Sequence, residues 1–216
     1  MVINMTVNLT AELADARILA VIRGTDTAGA IAAGTALLEE GVRIVEVALT
    51  TPDAPRAVEA LRAVAPAGSL VGAGTVLTTA DVADVAAAGA QFVVTPAVVE
   101  SIPEAARRGI PVAAGAFTPT EAYTAMRMGA SAIKVFPVSV GGPAYLRAVR
   151  DPFPDIPFVA VGGVGLDDVP GYLRAGAIAV GVGGPLVGDA ASGGDLAALR
   201  ARARTYLAAV GEWTRR

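Results

Sequence analysis

Eight short apolar runs alternate with amphipathic stretches along the whole chain, and this alternation limits the possible folds more than any other feature. The runs occupy residues 18–24, 44–50, 70–76, 92–96, 111–117, 132–137, 157–163 and 178–184. They are nearly continuous in apolar residues, as parallel strands buried on both faces require. Several intervening stretches open with Thr or Asp and close on Gly, which is typical of helix caps. The pattern therefore predicts repeated βα units.

Eight βα units with short connections in 216 residues favour an α/β fold of the (β/α)8 type, the TIM barrel, formed by residues 1–216 as a single domain. A doubly wound open sheet is the alternative arrangement of the same units. Residues 9–16 predict a short N-terminal helix that closes the floor of the barrel. In such barrels the active site lies at the carboxyl ends of the strands.

The residues that are missing from the chain exclude several kinds of chemistry. There is no Cys and no His, so thiolate nucleophiles, a Ser-His-Asp triad and His- or Cys-ligated metals are excluded. Neither a dinucleotide-binding fingerprint nor a phosphate-binding GxxxxGK[ST] loop is present. We therefore expect acid-base work by carboxylates or lysine, with no metal and no cofactor.

The composition also restricts the partners. The formal net charge is −3 and no basic stripe is present, which argues against nucleic acid or an anionic membrane as a partner. A small molecule is the expected ligand. The first residues lack the basic and apolar segments of a secretory signal. We therefore expect a cytoplasmic protein with no membrane segment.

Lys134 is the single lysine, because the other sixteen basic residues are arginine. It lies within the apolar run at 132–137. An ammonium group buried among apolar residues has a lowered pKa and becomes an amine nucleophile toward carbonyls, whereas a guanidinium stays protonated. The alternatives are a lysine that extends to solvent or one that forms a structural ion pair.

Two further charged residues accompany the strand runs. Glu46 is the single carboxylate within the eight runs, and a buried carboxylate is costly unless it is paired or functional. We interpret it as a general acid/base near Lys134, or alternatively as an ion-pair partner of Arg23 or Lys134. Arg23 ends the first run and is a candidate anchor for a carboxylate or phosphate. A salt bridge at the rim is the alternative for Arg23.

Polar and glycine residues at other strand ends complete the candidate site. Gly162 and Gly163 close the seventh run, and Gly183 and Gly184 close the eighth, where bare backbone N–H groups commonly bind phosphate in such barrels. Thr75 lies near the end of the third run, where its hydroxyl could bind a carboxylate or cap the next helix. These strand ends predict a site for an anionic small molecule.

Several motifs together resemble the 2-keto-3-deoxy-6-phosphogluconate (KDPG) and 4-hydroxy-2-oxoglutarate (KHG) aldolase family, which includes 2-keto-3-deoxy-6-phosphogalactonate aldolases. The similarity extends from about residue 18 to residue 186. The motifs are VEV around Glu46, GAGTV at 72–76, TP at 95–96, KVFP at 134–137, VGG at 161–163 and GG at 183–184.

The resemblance implies a metal-independent class I aldolase that cleaves a phosphorylated 2-keto-3-deoxy sugar acid to pyruvate and glyceraldehyde 3-phosphate. It implies that Lys134 forms the Schiff base and that Glu46 moves protons. Thr75 and the carbonyl group of Pro96 would hold the pyruvyl end, with Phe136 packed on it. The four glycines at 162–163 and 183–184 would bind the phosphate. The family also implies a homotrimer.

Two positions depart from the family pattern. Thr50 stands where many members carry an arginine for the substrate carboxylate, and Arg23 is the candidate replacement; the phosphogalactonate branch also lacks that arginine. Pro185 follows Gly184 where Ser is common, so one hydroxyl donor for phosphate is missing. Gluconate and galactonate configurations at C4, and unphosphorylated 4-hydroxy-2-oxoglutarate, all remain candidate substrates.

Two other functions fit the same residues. One is a phosphate-binding barrel isomerase or epimerase that uses Glu46 as its base. The other is a non-catalytic barrel that binds sugar acids.

Overall fold

The computed structural model describes residues 7–214. The predicted single domain of residues 1–216 also includes residues 1–6 and 215–216, which lie outside the described residues. Eight strands are present in this part of the chain. They are β1 (Ile18–Ile22), β2 (Ile44–Ala48), β3 (Leu70–Gly74), β4 (Val93–Val94), β5 (Val112–Ala116), β6 (Ala132–Val135), β7 (Phe158–Val161) and β8 (Ala179–Val182).

Ten α-helices accompany the strands within residues 7–214, together with short 3-10 turns at Val138–Val140, Leu166–Asp168 and Ala190–Ser192. None of these helices is long and apolar enough to cross a membrane. The helices are α1 (Leu9–Ala16), α2 (Thr27–Glu39), α3 (Ala54–Val64), α4 (Thr79–Ala87), α5 (Ser101–Arg107), α6 (Pro119–Arg127), α7 (Gly142–Arg150), α8 (Val169–Arg174), α9 (Gly184–Val187) and α10 (Leu196–Thr214).

The eight strands form a closed barrel in chain order. Every neighbouring pair is parallel, and β1 pairs with β8 to close the ring, with Ile18 opposite Val180. The predicted (β/α)8 barrel is confirmed, and the open-sheet alternative is wrong. Because all strands run in one direction, their carboxyl ends meet at one face, as the predicted site requires.

Each predicted strand exists, but each ends before the apolar run does. The third run extends to residue 76, whereas β3 ends at Gly74 because Thr75 has a φ of 60°. The seventh run extends to residue 163, whereas β7 ends at Val161 because Gly162 has a φ of 94°. Positive φ is incompatible with a β-ladder. Of the residues that follow these two strands, Thr75, Gly162 and Gly163 line a cavity at this end of the barrel.

The apolar side chains form two separate cores. The larger lies between the strands and the surrounding helices, as with Ile22 and Leu61. The smaller fills the barrel interior and includes Phe92, together with Leu9 and Leu13 from α1. The helix α1 therefore closes the floor of the barrel, as the sequence predicted.

Candidate active site

A cavity of about 370 Å³ opens at the carboxyl ends of the strands, a size suited to a small ligand. Nine of the eleven predicted site residues line it, and Glu46 and Thr50 do not. The predicted residues that line it are Arg23, Thr75, Pro96, Lys134, Phe136, Gly162, Gly163, Gly183 and Gly184.

Lys134 reaches the cavity from β6 and is 7% exposed. Its cross-strand neighbours are Gly115 and Val159, which offer no polar side chain. The amine lies 5.0 Å from the centre of the Phe136 ring, and no hydrogen bond or ion pair from it to residues 7–214 is present. The solvent-exposed and ion-paired alternatives do not describe this lysine.

The environment of Lys134 favours the neutral amine. Burial lowers the pKa of Lys134 from its ordinary value; the Arg23 guanidinium lowers it further, while the Glu46 carboxylate opposes the shift. A neutral amine is the nucleophilic form of lysine. Lys134 is therefore suited to attack a carbonyl carbon in the cavity.

Glu46 lies on β2 and is 1% exposed. Its Oε2 atom is buried and has no hydrogen-bond partner. Gly74 leaves room for the carboxyl group, since a Cβ at Gly74 would lie 2.5 Å from Glu46 Oε1. Burial raises the pKa of Glu46, and the charges of Lys134 and Arg23 partly offset the increase. A carboxyl with a raised pKa can both donate and accept a proton near neutral pH.

Arg23 follows β1 at the rim of the cavity, with an exposed side chain that forms no ion pair with the described residues. Two hydrogen bonds hold the loop that follows Arg23. The N–H of Gly24 donates to Thr51 Oγ1 at 3.1 Å, and the N–H of Thr25 donates to Ser192 Oγ at 3.1 Å. The guanidinium is thus free to bind an anion, and the rim salt bridge is absent.

Thr50 and Thr51 have different environments although they are adjacent. Thr50 lies in the turn after β2, is exposed and does not line the cavity. Thr51 is 2% exposed and accepts the hydrogen bond that holds the Arg23 loop. The role of Thr51 was not predicted from the sequence, because its neighbour Thr50 occupies the position of the family arginine.

Thr75 has a φ of 60°, a conformation that is rare and strained for a β-branched residue and concentrated at functional sites. Its hydroxyl forms no hydrogen bond with the described residues. The following helix α4 is capped instead by Thr78, whose side chain accepts from the N–H of Asp81 at 3.1 Å. The capping alternative for Thr75 is therefore wrong, and its hydroxyl remains available to a ligand.

Pro96 is held in place by Thr95, a fully buried residue whose role was not predicted from the sequence. The Thr95 hydroxyl donates to the carbonyl oxygen of Ala97 at 2.7 Å and accepts from the N–H of Gly115 at 3.1 Å. A Cβ at Gly115 would lie 2.4 Å from the Pro96 carbonyl oxygen. The Thr-Pro pair at the strand end was the signal that could have identified Thr95.

Two glycine turns form the wall opposite Thr75. A Cβ at Gly162 would lie 2.7 Å from the Phe136 ring, and one at Gly163 would lie 2.5 Å from the Ser139 hydroxyl. Both have positive φ, so larger residues are excluded by strain as well as by space. None of the hydrogen bonds among residues 7–214 uses the backbone N–H of Gly163, Gly183 or Gly184. All three glycines line the cavity, so these N–H groups are available to an anionic ligand.

The site therefore combines an unpaired amine, a buried carboxyl group, a free guanidinium and free backbone donors. Such a set can form an imine with a carbonyl compound, move protons and bind an anionic ligand. Within residues 7–214, no group of three or more carboxylates is arranged to hold a metal ion. The fold and these groups define a barrel enzyme of the imine-forming class.

Comparison with known proteins identifies the family. The family model described as KDPG and KHG aldolase matches residues 9–201, and the chain belongs to this family. A relative from Rhizobium meliloti (strain 1021), named as a probable 2-dehydro-3-deoxy-6-phosphogalactonate aldolase, is 40% identical over 194 residues, which cover 89% of this chain and 90% of the relative.

Solved structures show the same fold. A structure described as native KDPGal has a TM-score of 0.86 at 32% identity and covers 92% of this chain and 96% of its own. KDPG aldolase from Legionella pneumophila, with pyruvate captured as a covalent carbinolamine, has a TM-score of 0.78 at 30% identity. The matched part is 92% of this chain and 95% of the Legionella chain.

Proposed function

We propose that the protein is a class I aldolase that cleaves a phosphorylated 2-keto-3-deoxy sugar acid to pyruvate and glyceraldehyde 3-phosphate. The observation that carries the proposal is the amine of Lys134, which is buried, unpaired and open to the cavity. Glu46 is the nearby group that can move protons. The structure of the Legionella relative with covalently captured pyruvate supports the same chemistry.

The reaction begins with the neutral amine of Lys134. The amine attacks the C2 carbonyl of the substrate, a carbinolamine forms, and loss of water leaves a protonated imine. The imine withdraws electrons from the adjacent carbons. The C3–C4 bond can then break without forming an unstabilised carbanion.

Glu46 supplies the proton transfers in this proposal. Its carboxylate accepts the proton of the C4 hydroxyl, through a water molecule, as the C3–C4 bond breaks and glyceraldehyde 3-phosphate leaves. The bonding electrons remain on C3 as an enamine. Glu46 then returns a proton to C3, and hydrolysis of the imine releases pyruvate and regenerates Lys134.

The remaining residues hold the two ends of the substrate. We assign the pyruvyl carboxylate to the Thr75 hydroxyl and Arg23, with the Pro96 carbonyl at the same end. Phe136 covers the reacting carbons beside Lys134, since its ring lies against the amine. The free N–H groups at residues 162–163 and 183–184 bind the phosphate.

We propose that the galactonate configuration is preferred at C4. Two observations support this. Thr50 occupies the place of the arginine that the phosphogalactonate branch also lacks, and the relative from Rhizobium meliloti carries that activity in its name. Parallel assays with the phosphogluconate and phosphogalactonate acids test the preference.

Pyruvate trapping tests the mechanism. The protein is incubated with pyruvate and borohydride, and its intact mass is measured. We expect a gain equal to one pyruvate after loss of water and addition of two hydrogens, and no gain for Lys134→Gln. The matched control is Arg127→Gln, on the outer helix α6. Absence of an adduct, or an adduct that persists in Lys134→Gln, would favour an isomerase or a binding protein and overturn the aldolase mechanism.

The proposal extends to the oligomeric state and the cellular location of the protein. We propose a homotrimer, as the family resemblance implies, and a cytoplasmic location. Exposed apolar side chains such as Tyr123 and Val140, which are 55% and 71% exposed, are available for subunit contacts. Sedimentation equilibrium of the purified protein tests the trimer.

A further inference from the structure

We propose that Arg202, on α10, is a positioning residue for the turn at Gly183 and Gly184 and thereby controls recognition of the substrate phosphate. The inference rests on the proposed function, which assigns the phosphate to this turn. Arg202 does not line the substrate cavity, so it acts through the backbone that does.

The Arg202 guanidinium holds the short helix that follows the turn. Its Nε donates to the carbonyl oxygen of Leu186 at 2.7 Å, and its Nη2 donates to that of Val187 at 3.0 Å. Both carbonyls belong to the end of α9, where carbonyl groups have no partner within the helix. A cation at this end is also electrostatically favourable. Arg202 forms no ion pair with the described residues, so these carbonyls are its acceptors.

Gly188 shows that this contact shapes the cavity wall. A Cβ at Gly188 would lie 2.5 Å from Arg202 Nη2, and Gly188 has a φ of 61°. Gly188 also lines the substrate cavity. The guanidinium therefore lies directly behind the wall that carries Gly183 and Gly184.

The chain that follows Gly184 lies between two cavities. Pro185 lines the substrate cavity and also a second cavity of about 450 Å³, which Arg202 lines as well. Leu186 and Val187, which follow the turn, bury their side chains in the larger core. The two hydrogen bonds from Arg202 add polar contacts that fix the backbone carbonyl groups of the same two residues.

Loss of Arg202 should therefore affect the phosphate end of the substrate alone. Without the guanidinium, the turn can shift, and its free N–H groups no longer converge on the phosphate. Misplacement of about 1 Å can cost as much as a hundredfold in rate or binding. The turn follows β8, whereas Lys134 lies on β6 and Glu46 on β2. The Arg202 side chain bonds to Leu186 and Val187 and to neither of these two residues.

The experiment compares Arg202→Met and Arg202→Lys with the native protein and with Arg204→Met. Arg204 lies on the same helix but is exposed and pairs with Glu40 at 2.9 Å, so it is the matched control. Each protein is assayed on the phosphorylated acid and on the same acid without its phosphate. The rise in Tm produced by inorganic phosphate is measured in parallel.

For Arg202→Met, we expect KM for the phosphorylated acid to rise roughly tenfold, with kcat/KM for the unphosphorylated acid within about twofold of native. Arg202→Lys, which keeps the charge but loses the paired donors, should lie between Arg202→Met and native. The rise in Tm with phosphate should shrink in Arg202→Met and persist in Arg204→Met.

Two results would overturn the inference. One is an equal loss on both acids in folded Arg202 variants, and the other is an unchanged KM for the phosphorylated acid. If Arg202→Met does not fold, Arg202→Lys and its response to phosphate decide the question. Failure of the proposed function has a different signature, because the native protein would then cleave neither acid and trap no pyruvate.

Discussion

Glu46 and Lys134 lie on β2 and β6, opposite strands of the closed barrel, and each changes the pKa of the other although no hydrogen bond or ion pair joins them. Each group is buried, so each is held away from its ordinary pKa by desolvation. Lys134 lines the substrate cavity, whereas Glu46 lies buried outside its lining. A direct ion pair would have lowered the reactivity of both groups.

Removal of the Glu46 carboxyl should separate imine formation from proton transfer. We expect Glu46→Gln to trap pyruvate with borohydride, because Lys134 is intact, but to exchange the C3 protons of pyruvate at least ~10²-fold more slowly. Exchange is measured by NMR in deuterated water. The control is Glu59→Gln on the outer helix α3, which should exchange at the native rate; near-native exchange in Glu46→Gln would remove Glu46 from the mechanism.

The pH dependence of trapping should report the lowered pKa of Lys134. The neutral amine reacts, so the trapping rate should rise with pH and level off below the ordinary pKa of lysine. Arg23 lowers the pKa of Lys134 and Glu46 raises it. The midpoint should therefore move to higher pH in Arg23→Gln and to lower pH in Glu46→Gln. Shifts in the same direction for both variants would contradict this electrostatic arrangement.

Thr95→Val should weaken the pyruvyl end of the site without touching the substrate. The substitution leaves the buried N–H of Gly115 without its acceptor, at a cost of about 1–3 kcal/mol in the free energy of unfolding. We also expect a higher KM for pyruvate in the exchange assay. Thr124→Val is the control, since the Thr124 hydroxyl bonds to Thr120 on an exposed helix; equal effects of the two substitutions would be inconsistent with this role.

Lys134→Met should stabilise the fold while abolishing activity, since it removes a buried amine whose ionised form is disfavoured by burial. The folded-state pKa of Lys134 is lowered, so the unfolded chain binds more protons and the stability of the native protein rises with pH up to the ordinary lysine pKa. We expect a Tm gain of roughly 2–4 °C at neutral pH. The gain should shrink as the pH approaches that value. A lower Tm at neutral pH in calorimetry would show that Lys134 stabilises the barrel.

The strands, and the candidate site residues on them and in the turns that follow them, were predictable from the sequence. The alternation of apolar runs and helices predicted all eight strands and α1, because both-face burial in a parallel barrel leaves a local trace in the sequence. Lys134 was identifiable as the single lysine in an apolar run. The family motifs added the strand-end residues that line the cavity.

Other parts of the site depend on contacts between segments that are distant in the chain. Arg202 bonds to carbonyl groups that lie 16 and 15 residues before it, and Thr51 holds a loop 27 residues away. No periodicity records such contacts. The exposure of Thr50 beside buried Thr51 likewise follows from how the turn after β2 packs.

The sequence alone determined the class of fold and singled out Lys134 and Glu46 as the proposed reactive pair, because burial patterns and rare residue types are local properties. The tertiary structure decided the environment of that pair. Closure of β1 on β8 sets Glu46 across the barrel from Lys134. Burial by surrounding strands shifts both pKa values, and only the assembled barrel supplies that burial.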